Sequence, residues 1–144
     1  IRRQRQMCIR DSDLGVEATL SRFKLWHRLG NNVYKNHNIK TFEVWGSRNY
    51  KKGMQENYWS EEWKNDWELL GDYETFKPSG EDNPSVTNED IAYAEAGFEF
   101  MVPIEKQRVR YVRFAMKSNW SGSNALHISE ITFYGDDRIN DINE

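Results

Sequence analysis

The stretch RVRYVRFAM, residues 108–116, decides the fold of this chain because its apolar residues recur at every second position. Successive side chains of a β-strand point to opposite faces of the sheet. Val112, Phe114 and Met116 therefore share one face, and the stretch predicts a strand with that face turned to a core.

Arg113 lies within the same stretch and is predicted to be a buried structural residue rather than a chemical one. A buried guanidinium requires an anion close to it. Glu130 and Glu43 are the two candidate partners that we expect for it.

Four further stretches show the same period of two. They are ATLSRFKLWHRL (18–29), IKTFEVWGS (39–47), AGFEFMVP (96–103) and LHISEITFYG (126–135). In the last one the apolar positions slip by one residue at Ser129–Glu130, which predicts a β-bulge. Short alternating strands separated by Gly, Asn, Pro and Ser clusters are typical of an antiparallel β-sandwich. We therefore expect one all-β domain.

One segment favours a helix instead. Trp59, Trp63 and Trp67 are spaced by four residues, which places them on one face of a helix, and Ser60 is a suitable N-cap. We predict at most a short helix near 60–66, followed by a strand from about Trp67. The three tryptophans are interpreted as a packing face, with a second sugar platform as the alternative.

Two polar segments are predicted to be loops. Residues 77–90 hold two of the three prolines and indicate a long ordered loop. Residues 117–125, KSNWSGSNA, indicate a polar turn around a single tryptophan, Trp120.

The first twelve residues differ in character from the rest. They contain four arginines and the only cysteine, and they lack the apolar core of a secretory signal. A DNA string that encodes Arg2–Ser12 resembles a transposase-type sequencing adapter. We expect residues 1–12 to be a non-native tag, residues 13–136 the domain and residues 137–144 a C-terminal tail. A genuine basic N-terminal tail is the alternative.

Charge and cysteine content exclude several classes of function. The net charge is −3, and residues 1–12 hold four basic and one acidic residue, so the rest of the chain carries −6. Nucleic acids and anionic membranes need a basic face, and we expect neither as a partner, nor membrane insertion by this segment. Without Cys8 no cysteine remains for disulfides, thiol catalysis or thiolate metal sites.

The aromatic content points to a ligand class. Aromatic residues make up 14% of the chain and include six tryptophans. Large flat rings near water suit ligands with alternating apolar faces and hydroxyl edges, as sugars have. Composition therefore gives a first indication of carbohydrate binding.

Five segments together resemble a coagulation-factor type C, or discoidin, domain. They are DLG (13–15), FEVWGS (42–47), WELLG (67–71), RYVRF (110–114) and SEITFYG (129–135). This resemblance implies a galactose-binding-like jelly roll. Such domains have one or two strands and a loop before DLG, so we expect the domain to be truncated at its N-terminus, with part of its binding rim missing.

A closer resemblance is to the family catalogued as domain of unknown function five thousand. It rests on LSRFKLWHR (20–28), KTFEVWGS (40–47), FKPSG (76–80) and VRYVRFAM (109–116). Members of this family lie at the C-terminal end of surface proteins encoded in glycan-utilisation loci of Gram-negative gut bacteria. The resemblance therefore implies the extracellular face of the outer membrane or the periplasm, and outer-membrane transporter components as partners.

Strand order indicates which loops share an end of the sandwich. Connections between antiparallel strands alternate between the two ends, so the loops at 29–38, 75–95 and 117–125 are predicted to lie together. In discoidin-like domains that end usually binds the ligand. The candidate ligand-binding residues collected there are Arg28, Tyr34, His37, Asn38, Lys77 and Trp120.

Five of the six candidates have a proposed role. Trp120 or Tyr34 would supply an aromatic platform for a sugar, and Arg28, His37 and Asn38 would supply hydrogen bonds to vicinal hydroxyls. Structural packing of Arg28, a covered Trp120 ring and an ordinary loop role for His37 are the alternatives.

The sequence predicts a binding function and no enzyme. The acidic residues fall on loops and turns, and the histidines are scattered, so neither forms a motif with a mechanism. We expect a non-catalytic carbohydrate-binding module of a cell-surface glycan-capture protein, with an oligosaccharide or polysaccharide as partner. A spacer or protein-interaction domain of an outer-membrane glycan-uptake assembly is the alternative. No cofactor is expected, and no metal site, although Glu130 is a residue that some relatives would use for Ca²⁺.

Overall fold

The structure of the chain is a computed structural model that describes residues 9–49, 62–103, 105–106, 108–123 and 125–138. Its strands are β1 (Ile9–Trp26), β2 (Ile39–Ser47), β3 (Glu68–Glu74), β4 (Phe98–Met101), β5 (Val109–Asn119) and β6 (Glu130–Asp136). All ladders between these strands are antiparallel. In the described part of the chain no helix is long and apolar enough to cross a membrane.

Strand β1 belongs to two sheets. Its first residues, Ile9–Asp13, pair with β5, which continues to β2 and then β3. From Thr19 onward β1 pairs with β6 and β4. The change of sheet occurs near Gly15, whose φ of 82° suits glycine and whose N–H donates to Asp13 Oδ1 at 2.8 Å. One strand thus links the two layers.

The core lies between these layers and is built from aromatic rings. Phe23 of β1 is fully buried and contacts Phe42 and Phe114 of the facing sheet, with ring centroids 6.3 and 5.5 Å apart. Leu25 and Val44, at the alternate positions of their strands, are also fully buried. These positions are the ones that the period of two selected, and the prediction of an all-β antiparallel sandwich is confirmed.

The helical content differs from the prediction in one place. The short helix expected near 60–66 is present as a 3-10 helix at Glu62–Asp66, and β3 follows it as expected. An α-helix, α1 (Asn88–Ala96), occupies the end of the region that we predicted to be loop. Thr87 and Asp90 form a capping box at its start, and Gly97, with φ 90°, ends it.

The bulge expected at Ser129–Glu130 is not where the sequence placed it. β6 begins at Glu130, and the N–H of Ser129 donates to the carbonyl of Trp26 at 2.9 Å. The shift in the β1–β6 register lies between Leu20 and Arg22. The slip of apolar positions therefore marks the point where the chain enters the sheet.

Arg113 packs on the outer face of the β5 sheet, beneath the 3-10 helix. Its guanidinium lies 4.9 Å from the Trp63 ring and 4.4 Å from the Trp67 ring. Its Nε and Nη2 donate to the two carboxylate oxygens of Asp11 at 2.7 and 2.8 Å. Burial of Arg113 is confirmed, but the expected partners, Glu130 and Glu43, were wrong, because Asp11 accepts both of these hydrogen bonds. Glu43 instead accepts from Trp45 Nε1.

The contact of Arg113 with Trp63 and Trp67 agrees with the packing face that the tryptophan spacing predicts. Trp63 and Trp67 are buried and form a small apolar cluster, as a packing face should. Trp59 lies outside the described residues. The expected tag boundary after Ser12 stays a prediction, and Ile9–Ser12 occupy the position beside β5.

Candidate functional site

Three loops meet at one end of the sandwich and form what we call the rim, residues 28–38, 75–87, 117–123 and 125–127. The N–H of Trp120 donates to the carbonyl of Asn38 at 3.1 Å, and the hydroxyl of Tyr34 donates to the carbonyl of Phe76 at 2.7 Å. An isolated bridge pairs Asn38 with His127. All six candidate residues therefore lie at the same end, as strand order predicted.

The rim encloses an open depression of about 350 Å³, which we call the rim cleft. It is lined by Tyr34, Lys35, Asn36, Lys77, Glu81, Asp82, Asn83, Pro84, Val86, Trp120 and Ser121. A concave surface with one large ring and several polar groups is the usual form of a small-molecule site.

Trp120 is the half-buried aromatic ring of the rim cleft. Its ring meets Tyr34 edge to face, with centroids 5.1 Å apart. Its Nε1 donates to Thr75 Oγ1 at 3.0 Å, and the Lys40 ammonium lies 4.8 Å from the ring centroid. These contacts fix the orientation of the ring while part of it remains exposed to the cleft.

Tyr34 is buried, with 4% of its surface exposed, and it supports the rim from beneath. Burial raises the pKa of its phenol. Its φ of 56°, like the 57° of Asn36, lies in the left-handed region that costs a tyrosine about 1 kcal/mol or more. Such backbone strain concentrates where a loop is held in a functional shape. The buried position leaves Tyr34 less ring surface for a sugar than the sequence suggested.

Lys77 is also buried and holds the loop before α1 in place. Its Nζ donates to the carbonyls of Asn83 and Ser85 and lies 3.9 Å from Asp90 Oδ2. Burial of Asp90 would raise its pKa, but hydrogen bonds from Ser79 and Thr87 outweigh that effect and keep the pKa below its ordinary value. Asp90 therefore stays a carboxylate, and Lys77 shapes the floor of the cleft.

Asn38 connects the first loop to the end of β1. Its Oδ1 accepts from the N–H of Arg28 at 2.8 Å, and its Nδ2 donates to the carbonyl of Asn32 at 2.7 Å. Because its amide is buried and both ends are engaged, Asn38 positions Arg28.

Arg28 and His37 lie beside the rim cleft in a second, smaller depression. This depression has a volume of about 40 Å³ and is lined by Arg28, Asn36, His37, Asn38 and His127. We call it the basic pocket. Asn36 lines both depressions, so they adjoin.

His27, one of the three histidines of the chain, lines neither depression. It is fully buried between Tyr34 and Phe98, and burial lowers its pKa to about 4. Its Nε2 lies 3.0 Å from the carbonyl of Ile39, and its Nδ1 accepts from the N–H of Tyr34. His27 is a neutral core residue.

Sequence reasoning missed several rim residues. The sequence does not indicate His127 as a site residue, because its neighbours in space are distant in the sequence. Ser121 and Lys35 lie in polar loops, where no pattern distinguishes them from the residues around them. Phe76 and Tyr93 form an exposed aromatic pair with centroids 5.3 Å apart, outside the residues that line the cleft. Among these residues, only Tyr93 lies in an element that the sequence could indicate, because a capping box marks the start of its helix.

One other depression in the described part of the chain lies away from the six candidate residues. The opposite end has an open depression of about 340 Å³ between residues 46–49, 65–68 and 108–109. Within the described ranges, no group of three His, Cys, Asp or Glu residues is placed to hold a metal ion.

Comparison with known proteins identifies the family. The model of DUF5000, a domain of unknown function, matches residues 6–135. The chain belongs to the DUF5000 family. No curated protein matches it.

Solved structures agree on the fold of this DUF5000 domain. The SusE-like protein BT2857 has a TM-score of 0.78 and 35% identity, over 89% of this chain and 46% of that one. The domain thus spans less than half of that relative. A fragment of a putative chitobiase from Bacteroides thetaiotaomicron has a TM-score of 0.57 and 17% identity, over 92% of this chain and 62% of that one.

A third solved structure places the same fold within a larger chain. The family 89 glycoside hydrolase from Clostridium perfringens has a TM-score of 0.52 and 15% identity, over 90% of this chain and 10% of that one. Likeness at this level of identity shows the fold alone.

Proposed function

We propose that this DUF5000 domain is a non-catalytic carbohydrate-binding module whose site is the rim cleft. The observation that carries the proposal is the Trp120 ring, held in a fixed orientation at the wall of a polar cleft. An aromatic ring of this kind stacks on the C–H face of a sugar, and surrounding amides and charges bind its hydroxyls.

The polar groups beside Trp120 suit hydroxyl recognition. Asn36 and Ser121 line the cleft on the two loops next to the ring, and Lys35 and Glu81 add a cation and a carboxylate. Glu81 lies 3.6 Å from Lys40. Because the cleft is open and shallow, we expect weak binding, built from stacking and a few hydrogen bonds for each sugar.

The setting of the domain is part of the proposal. The solved relative at 35% identity is named SusE-like. The sequence also resembles a family of domains found in surface proteins that glycan-utilisation loci encode. It resembles the wider discoidin and galactose-binding-like group as well. We therefore propose a location on the outer-membrane surface, with outer-membrane transporter components as further partners of the parent protein.

The test measures retention of the domain on affinity gels that contain different polysaccharides, followed by calorimetry with oligosaccharides of any that retain it. Trp120→Ala should weaken binding by about tenfold or more, the loss expected when a stacking ring is removed. Ser121→Tyr, which fills the cleft without removing core packing, should weaken it as well.

Phe76→Ala is the matched control, since it removes an exposed aromatic ring at the same end but outside the cleft. We expect it to bind as the unaltered domain does. Loss of binding in Phe76→Ala with none in Trp120→Ala would move the site to the Phe76–Tyr93 pair. Retention on no polysaccharide would favour the alternative role as a spacer or protein-interaction domain.

A further inference from the structure

We propose that the basic pocket binds the anionic substituent of an acidic sugar, either the carboxylate of a uronate or a sulfate ester. This inference rests on the proposed function, because it places the sugar ring in the adjoining rim cleft. It adds a substrate class, charged rather than neutral glycans.

The lining of the pocket carries the inference. Arg28, His37 and His127 supply one cation and two imidazoles, and the amides of Asn36 and Asn38 complete the wall. No carboxylate lines this depression among the residues that the structure describes. The carboxylates at the rim, Glu81 and Asp82, line the rim cleft instead.

Two side-chain features point to an occupant. Nε2 of His127 is buried without a hydrogen-bond partner in the described part of the chain. A buried polar atom without a partner costs free energy that a bound ligand can recover. Arg28 is exposed, and its backbone N–H is held by Asn38, so its guanidinium is presented at the pocket by a fixed backbone.

The size of the pocket sets what it can hold. A volume of about 40 Å³ admits one small group but not a sugar ring. Asn36 lines both depressions, so a sugar in the cleft can place one substituent in the pocket. A carboxylate or sulfate has the charge and the planar or tetrahedral acceptor set that Arg and His donors recognise.

The electrostatics of the pocket agree with this role. Burial and the nearby charges of Arg28, Arg10 and His37 lower the pKa of His127. Arg10, at the start of β1, donates to the carbonyl of Ile128 and adds positive charge from that side. A bound anion would offset these charges and favour protonated His127, so affinity should rise as the pH falls from about 7.5 to about 5.5.

The experiment follows the histidine ring signals of the domain by NMR during additions of sodium glucuronate, galactose 6-sulfate or neutral glucose. We expect the His127 and His37 signals to move with a charged sugar and not with glucose, and the pKa of His127 to rise at saturation. The two charged sugars distinguish a uronate site from a sulfate site. His27, buried in the core, is an internal reference.

Two variants complete the test. Arg28→Gln should weaken the response to the charged sugar by about tenfold, the loss of one charge-assisted hydrogen bond. Arg48→Gln, which removes an exposed charge at the opposite end, should leave it unchanged. Equal responses to glucuronate, galactose 6-sulfate and glucose would overturn the charge preference while leaving the cleft site standing. A charged-sugar response that survives Arg28→Gln would overturn the pocket assignment.

Discussion

Asn38 and Lys77 are buried polar residues that support the rim, whereas the groups proposed to bind a ligand are exposed or half-buried. Asn38 and Lys77 were selected from the sequence as ligand contacts, and the structure places both beneath the rim. Their partners are backbone groups of the same loops, six to ten residues away in the sequence, and no simple periodicity reveals such contacts. The residues left open to a ligand are Trp120, Arg28 and His37.

His27 provides a prediction at this scale. Its pKa is about 4 in the folded domain and near 6.5 in the unfolded chain. The unfolded chain therefore binds the proton first as the pH falls, and the folded state loses stability between about pH 6.5 and about pH 4. Above that interval the contribution is fully present.

The expected loss across this interval is about 3 kcal/mol, from a shift of about 1.4 kcal/mol for each pKa unit. Denaturant titrations of the domain and of His27→Gln at several pH values measure it. The variant should be less stable at neutral pH and show a flatter pH profile. The same slope in both proteins would show that His27 is not the group responsible.

At the scale of single elements, β1 and β5 carry two ion pairs with opposite surroundings. Asp11 pairs with Arg113, which is fully buried, whereas Asp13 pairs with the exposed Arg110. Removing one partner of a buried pair takes charge compensation away from a desolvated site, whereas exposed pairs are screened by water.

Asp11→Asn should therefore destabilise the domain by about 3 kcal/mol, measured as the free energy of unfolding. Asp13→Asn, on the same strand and two residues away, is the matched control and should change it little. Trp63 and Trp67 should report the first variant by a change in fluorescence, because Arg113 lies against both rings. Equal effects of the two substitutions would contradict this account.

Among the elements, the sequence predicted the alternating strands and the short helix near 60–66, but not helix α1. The buried positions of β1, β2 and β5 follow from the period of two, as Phe23, Phe42 and Phe114 show. The sequence does not indicate helix α1 because its apolar residues do not gather on one face, and its strongest signal is the Thr87 cap. The partner of Arg113 was missed because Asp11 is distant in the sequence and lies in a segment interpreted as a tag.

At the scale of the whole molecule, β1 makes the two sheets depend on each other. Phe23 lies on the part of β1 that pairs with β4 and β6, and it contacts rings of both layers, including Tyr73 and Phe100 at 5.2 Å each. Because one strand and one ring bridge both layers, neither sheet is complete without the other. We expect a single cooperative unfolding transition.

Phe23→Ala should lower the free energy of unfolding by about 3–5 kcal/mol, the cost of a large cavity in an aromatic core. Met101→Ala, at an exposed position of β4, should lower it only slightly. Far-ultraviolet circular dichroism and tryptophan fluorescence should give coincident denaturation curves for the unaltered domain. Separate midpoints for the two signals would show that the layers unfold independently.

The buried supports under the rim have a consequence for how such a domain diversifies. Asn38, Lys77 and Asn119 tie their loops to backbone atoms, so the loop shapes rest on these buried side chains more than on an outward residue such as Lys35. Such outward positions can be exchanged without refolding the scaffold. A single framework of this design can be retargeted from one ligand to another by surface substitution alone.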